Sequence, residues 1–201
     1  MKEKRWIWYL IILVISLAYF FMFVEPITSK YYIALLWTCY IAIPIIIIGL
    51  IKKNPYIILS QVTILALTDL LWIFDFICLI LLGHTILGIK SVDIFPSQSF
   101  ILKLGNLQHL VIVPLSIVAL SILKVKRNYK TLLVSLAEVS ILFLLTLFFV
   151  PSNQGINCVH ITCIGIPITF LPYYLTWFLF VFGFVILSYF IITSLPFIKK
   201  R

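Results

Sequence analysis

The chain has 201 residues, 64% of them hydrophobic and only 10% charged, and a formal net charge of +9. A soluble domain carries roughly 45–50% apolar and about 25% charged residues, so this composition excludes a water-soluble fold, and its hydrophobicity excludes a disordered chain. The basic residues sit in short clusters between apolar runs, which is the pattern of membrane topology signals and not of a nucleic-acid surface.

A helix needs roughly 20 apolar residues to cross the hydrocarbon core. Six runs meet this, at 6–24, 31–51, 56–83, 101–123, 131–150 and 168–195. The first follows Lys2, Lys4 and Arg5. Its apolar stretch is too long for a signal sequence, and Phe23-Val24-Glu25-Pro26 lacks a small-residue cleavage site, so it reads as an uncleaved span. The second carries Thr38 and Cys39, with Ala34, Thr38 and Ala42 forming a small-residue stripe that lets another helix approach. The third carries Asp69 and Asp75, the fourth His109, and the fifth Glu138. The third and sixth are long enough to tilt or to extend beyond the bilayer.

Two connections are substantial. His84 to Phe100 alternates apolar and polar residues, which predicts an interfacial or re-entrant segment. Pro151 to Pro167 has no Lys, Arg, Asp or Glu but holds Asn153, Gln154, Asn157, Cys158, His160 and Cys163. The spacing of Cys158 and Cys163 allows a disulfide without demanding one. A zinc site from Cys158, His160 and Cys163 lacks a fourth ligand, so no metal is expected. No P-loop, dinucleotide fingerprint, HExxH or GxSxG is present, and no cofactor is expected. No internal repeat suggests duplicated halves.

Basic residues alternate between the two sides. One side holds Lys2, Lys4, Arg5, Lys52, Lys53, Lys124, Lys126, Arg127, Lys130, Lys199, Lys200 and Arg201; the other holds Lys30, Lys90 and Lys103. The positive-inside rule then predicts a cytoplasmic N-terminus, and six spans return the C-terminus to the same side.

Ionisable residues inside a membrane are costly, roughly 2.5–3.5 kcal/mol on insertion scales, and mark functional sites. Counted from the outer ends of their spans, Thr38, Asp75 and His109 lie at one level, roughly 10–12 Å below the outer face at 1.5 Å per residue. A threonine or cysteine, a histidine and an aspartate at one depth are the parts of a nucleophile, a general base and its orienter. Thr38, His109 and Asp75 are therefore the candidate catalytic residues, with Trp72, Asn106, Asn157 and His160 as candidate substrate contacts. The bland reading is that Thr38 bonds a carbonyl in its own helix and that His109 and Asp75 only hold helices together. Asp69 and Glu138 lie deeper; they line a proton or solute path, or pair with Gln61, Ser135 or Ser140 within the bundle.

The Trp72–Asp75–Phe76 group, Gly83 and Gly88, Val92-Asp93-Ile94-Phe95, His109 with Pro114, Tyr129, and Gly155-Ile156-Asn157-Cys158-Val159 resemble a family of small prokaryotic multi-pass membrane proteins without an assigned activity. The resemblance covers roughly residues 56–160. In arrangement the chain is also similar to the androgen-induced membrane threonine hydrolases, which have six spans and both ends cytoplasmic. Their catalytic threonine lies on the second span and their histidine on the fourth, the places of Thr38 and His109 here. That similarity implies hydrolysis of fatty-acid esters of hydroxy fatty acids.

The expectation is a single all-α domain over 1–201, an integral membrane bundle of six transmembrane helices in the plasma membrane with both termini cytoplasmic and an outward-facing polar pocket. Its surroundings are the lipid bilayer, and its ligand a lipid or other apolar small molecule. Intramembrane lipid-ester hydrolysis or acyl transfer is the sharpest functional expectation. A proton-coupled carrier and a scaffold for partner helices are the alternatives.

Overall fold

In the computed structural model, residues 3–28, 30, 32–160, 162 and 172–198 are described, and their regular elements are all helical. In chain order these are α1 (Glu3–Thr28), α2 (Thr38–Ile51), α3 (Pro55–Leu82), the short α4 (Lys90–Asp93), α5 (Phe100–Asn106), α6 (Gln108–Leu123), α7 (Tyr129–Phe149) and α8 (Tyr173–Ser194). Five segments are long and apolar enough to cross a membrane: Trp6–Thr28, Pro55–Leu82, Phe100–Leu123, Tyr129–Phe149 and Tyr173–Ser194.

The second predicted run is not one continuous helix. Tyr32–Leu36 is a 3-10 turn, Trp37 leaves the helical region with φ −58° and ψ 136°, and α2 starts only at Thr38. Its 14 residues reach about 21 Å, short of the roughly 30 Å hydrocarbon core. The start of the sixth predicted run, from 168, falls outside the described residues, and α8 begins at Tyr173.

Polarity is inverted relative to a soluble protein. Leu81, Phe100, Phe148 and Phe149 face outward, whereas Ser60, Gln61, Thr63, Asp69, Asp75, Gln108, Ser116 and Ser135 are buried. In lipid the apolar side chains need no burial, and the interior is where small and polar groups pack and bond.

α3 is the central helix and packs against α2, α6, α7 and α8. It starts sharply because Asn54 Oδ1 accepts from the N–H groups of Tyr56 and Ile57 at 3.0 and 3.3 Å, with Pro55 in the first helical position. It ends at Gly83, whose φ of 77° favours glycine. The 28 residues of α3 measure about 42 Å, more than the hydrocarbon core requires. α2 folds back along α3, with Ile43, Ile46, Leu50, Ile58, Leu59 and Val62 fully buried between them and their neighbours. On the far side, α1 crosses α5 so closely at Gly105 that an added Cβ would stand 3.1 Å from the Met22 Cα.

Candidate functional site

The site is centred on α3. Asp69, Trp72 and Phe76 recur at i, i+3 and i+7 and so share one helical face. On that face Asp69 Oδ1 lies 2.7 Å from His109 Nδ1, an interaction between α3 and the first turn of α6. Asp69 is buried, and its second oxygen, Oδ2, has no hydrogen-bond partner among the described residues. The His109 side chain keeps 17% of its surface exposed. With Nδ1–H donating to Asp69, a neutral ring presents a lone pair at Nε2. The Gln108 Nε2 amide stands 3.0 Å from it, while Gln108 Oε1 is buried without a partner.

Aromatic rings wall this pair. Trp72 stacks on His109 with centroids 4.8 Å apart and on Phe76 at 5.0 Å. Phe95, from the connection after α3, meets both Trp72 and Phe76 edge-on. Trp72 Nε1 donates to Ser91 Oγ at 3.1 Å. The His84–Phe100 connection therefore folds over the pair; it forms α4 and a 3-10 turn at Phe95–Ser97.

Asp75 holds that connection down. Its Oδ1 accepts from the N–H groups of Ile86 and Leu87 at 2.7 and 2.8 Å, and its Oδ2 from the N–H of Ile89 at 2.8 Å. Asp75 is thus not the orienter of His109; Asp69 stands in that place. The physical reason is depth. α3 and the α5–α6 segment do not end level, so His109 meets α3 at Asp69, six residues before the position that equal counting from the two helix ends gives. Helical phase adds to this, since Asp75 is turned about 120° from Asp69 at 100° per residue.

Thr38 is likewise committed elsewhere. Its N–H and its hydroxyl both donate to Asn157 Oδ1 at 2.8 Å. Asn157 Nδ2 donates to Leu36 O at 2.7 Å and to Thr146 Oγ1 at 3.1 Å, and Asn157 O accepts from Trp177 Nε1 at 2.8 Å. One side chain therefore satisfies the backbone on both sides of the break at Trp37. Non-helical backbone persists at membrane depth only where protein groups meet its polar atoms. Asn157 sits at φ 49°, a left-handed conformation that asparagine tolerates better than most residues.

The remaining candidates fall at the periphery. Asn106 Nδ2 donates to Gln98 Oε1 at 2.7 Å, and His160 Nε2 lies 3.3 Å from Thr146 O. Cys158 is disulfide-bonded, whereas Cys39 and Cys78 are free; Cys163 lies outside the described residues. Among the described residues no group of three His, Cys, Asp or Glu could hold a metal ion.

A second buried polar pair lies further along α3. Gln61 Nε2 donates to Glu138 Oε2 of α7 at 2.6 Å, while Gln61 Oε1 and Glu138 Oε1 are buried without partners. Ser135 Oγ donates to Ser60 O at 2.8 Å beside it. The predicted pairing of Glu138 with Gln61 is therefore present, and Asp69 pairs instead with His109.

The structure thus brings together Asp69, His109, Trp72 and Gln108, and it does not join Thr38, His109 and Asp75 in one hydrogen-bonded chain. Asp69 was legible in the i, i+3, i+7 spacing of Asp69, Trp72 and Phe76. Thr68, one residue before Asp69, instead bonds Leu65 O of its own helix through its hydroxyl at 2.8 Å. No protein-family model matches the chain, and no curated protein or solved structure matches it.

Proposed function

We propose that this chain is a small proton-coupled membrane carrier whose proton-binding centre is the Asp69–His109 pair. One observation carries the reading: a buried carboxylate, with one oxygen free, lies 2.7 Å from a ring that is 17% exposed. A buried aspartate without a cation is costly in hydrocarbon, and a proton shared with imidazole removes most of that cost. The exposed edge of His109 gives the proton a way in. Gln108 suits both protonation states. Its amide N–H serves the neutral Nε2 lone pair, and rotation of the amide would offer Oε1 to an Nε2–H.

The Gln61–Glu138 pair supplies a second station, about 12 Å from the first along α3 (eight residues at 1.5 Å). Val62, Ile64 and Leu65 are buried between the two stations. Proton passage then needs the helices to move, as alternating access requires.

In this reading the chain crosses the plasma membrane six times with both ends cytoplasmic. Tyr32–Leu36 and α2 together make the second crossing as a broken helix. The twelve-to-three division of basic residues supports that orientation. So does the disulfide at Cys158, which belongs on an oxidising side. Acyl chemistry through Thr38, as in the six-span threonine hydrolases, would require its hydroxyl to leave Asn157 and reach His109.

The test is proton flux in proteoliposomes of the purified full chain, driven by a potassium diffusion potential and read by a trapped pH dye. Flux above that of protein-free vesicles, abolished in Asp69→Asn and retained in Thr38→Val, is expected. Flux no greater than that of protein-free vesicles would count against a proton path through this pair.

A further inference from the structure

The end of the bundle opposite the Asp69–His109 pair carries an unusual cation. Arg127 lies just before α7, and its Cζ stands 5.0 Å from the Tyr129 ring centroid, 5.1 Å from Phe190 and 5.9 Å from Tyr189. The guanidinium is half-buried in this aromatic cradle, and its Nε is buried without a hydrogen-bond partner.

Among the described residues no carboxylate pairs with it. The chain has six acidic residues. Four have described side chains, and all are occupied elsewhere: Asp69 by His109, Asp75 by loop amides, Asp93 by Thr85 and Glu138 by Gln61. Meanwhile Lys124, Lys126 and Lys130 flank Arg127 and are exposed.

The helices add to the same field. α3 and α7 run in parallel, because Ser60 in the second turn of α3 meets Ser135 in the second turn of α7. Their N-termini therefore stand side by side at this end, with Lys52 and Lys53 just before α3. Each N-terminus carries partial positive charge. A planar, half-desolvated guanidinium is suited to bidentate binding of phosphate oxygens. The exposed rings of Tyr129 and Phe190 offer an apolar flank for an acyl chain, as basic clefts between membrane helices do for acidic lipids.

We infer that the surface patch formed by Arg127, Lys126, Lys130, Tyr129 and Phe190 binds the phosphate headgroup of an anionic phospholipid. This inference stands apart from the proton-binding reading and does not need it.

Its test uses the full chain in detergent, with lipid retention followed by native mass spectrometry and thermal unfolding. The probes are phosphatidylglycerol, phosphatidylcholine and inorganic phosphate. Phosphatidylglycerol is expected to be retained and to raise the unfolding temperature; the other two are not. Arg127→Gln should weaken phosphatidylglycerol binding by about tenfold or more, the loss of a bidentate charge-assisted contact. Lys52→Gln, a charge at the same end but outside the patch, should weaken it by no more than about fivefold. Arg127→Lys keeps the charge without the fork and should fall between wild type and Arg127→Gln; it stands in if Arg127→Gln does not fold. Equal losses for the Arg127 and Lys52 variants would overturn the site in favour of diffuse surface charge. Stabilisation by inorganic phosphate equal to that by phosphatidylglycerol would overturn the lipid.

Discussion

Asp75 is fully buried and makes no ion pair among the described residues, yet three backbone N–H groups satisfy its carboxylate. A hydrogen bond to a charged group contributes about 1.5–3 kcal/mol, so this residue belongs to stability. Asp75→Ala should destabilise the chain by about 3 kcal/mol or more, and hydrogen exchange at Ile86, Leu87 and Ile89 should accelerate together. Unchanged exchange at those three amides would contradict the latch. Asn157 supports a parallel expectation. Asn157→Asp keeps the acceptor for Thr38 but turns a donor toward Leu36 O and Thr146 Oγ1 into a second acceptor. A loss of about 2 kcal/mol or more in denaturation is expected, from a buried carbonyl left unpaired. Spacing alone could not assign either residue. It marks Asp75 and Asn157 as important polar groups near the sparsely charged end, but which backbone atoms they meet depends on how two connections fold back.

At the scale of elements, most of the architecture is written in the hydropathy. Segments at 6–24, 56–83, 101–123 and 131–150 each correspond to long apolar helix, with bounds shifted by a few residues. The break at Trp37 was not legible, because its compensation comes from Asn157, 119 residues away from Thr38. A local pattern of apolar residues cannot report a cap supplied by another part of the chain. The interruption at Leu107, between α5 and α6, is similarly hidden, although Pro114 two turns on removes a helical donor. Gly105 tests the packing of this broken segment. Its missing Cβ would meet Met22 backbone atoms at 3.1 and 3.3 Å, and backbone cannot rotate away as a side chain can. Gly105→Ala should therefore cost about 1–3 kcal/mol by forcing α1 away from α5. A variant as stable as wild type in thermal unfolding would show that α1 is not seated there.

Over the whole molecule, charge, covalent and packing features agree. Lys52, Lys53, Lys124, Lys126, Arg127 and Lys130 gather at one end of the bundle, and Lys30, Lys90 and Lys103 at the other. The disulfide at Cys158 lies at the sparsely charged end, beside the Thr38–Asn157 junction. Impermeant thiol labelling of single cysteines placed at Gln98 and at Lys126, in a background lacking the native free cysteines, should modify Gln98→Cys from outside intact cells and leave Lys126→Cys untouched. The reverse pattern would invert the proposed topology. Asp69 and His109 lie under the His84–Phe100 connection, with Gln61 and Glu138 nearer the basic end. On the proposed reading a proton entering at His109 travels along α3 toward the basic end. The most direct measurement is pH-difference infrared spectroscopy of the purified chain, following the carboxylic-acid stretch. A band that titrates, disappears in Asp69→Asn and shifts in His109→Gln is the predicted result. A spectrum in which Asp69→Asn removes no titrating carboxyl would contradict a proton-binding centre at Asp69 and His109.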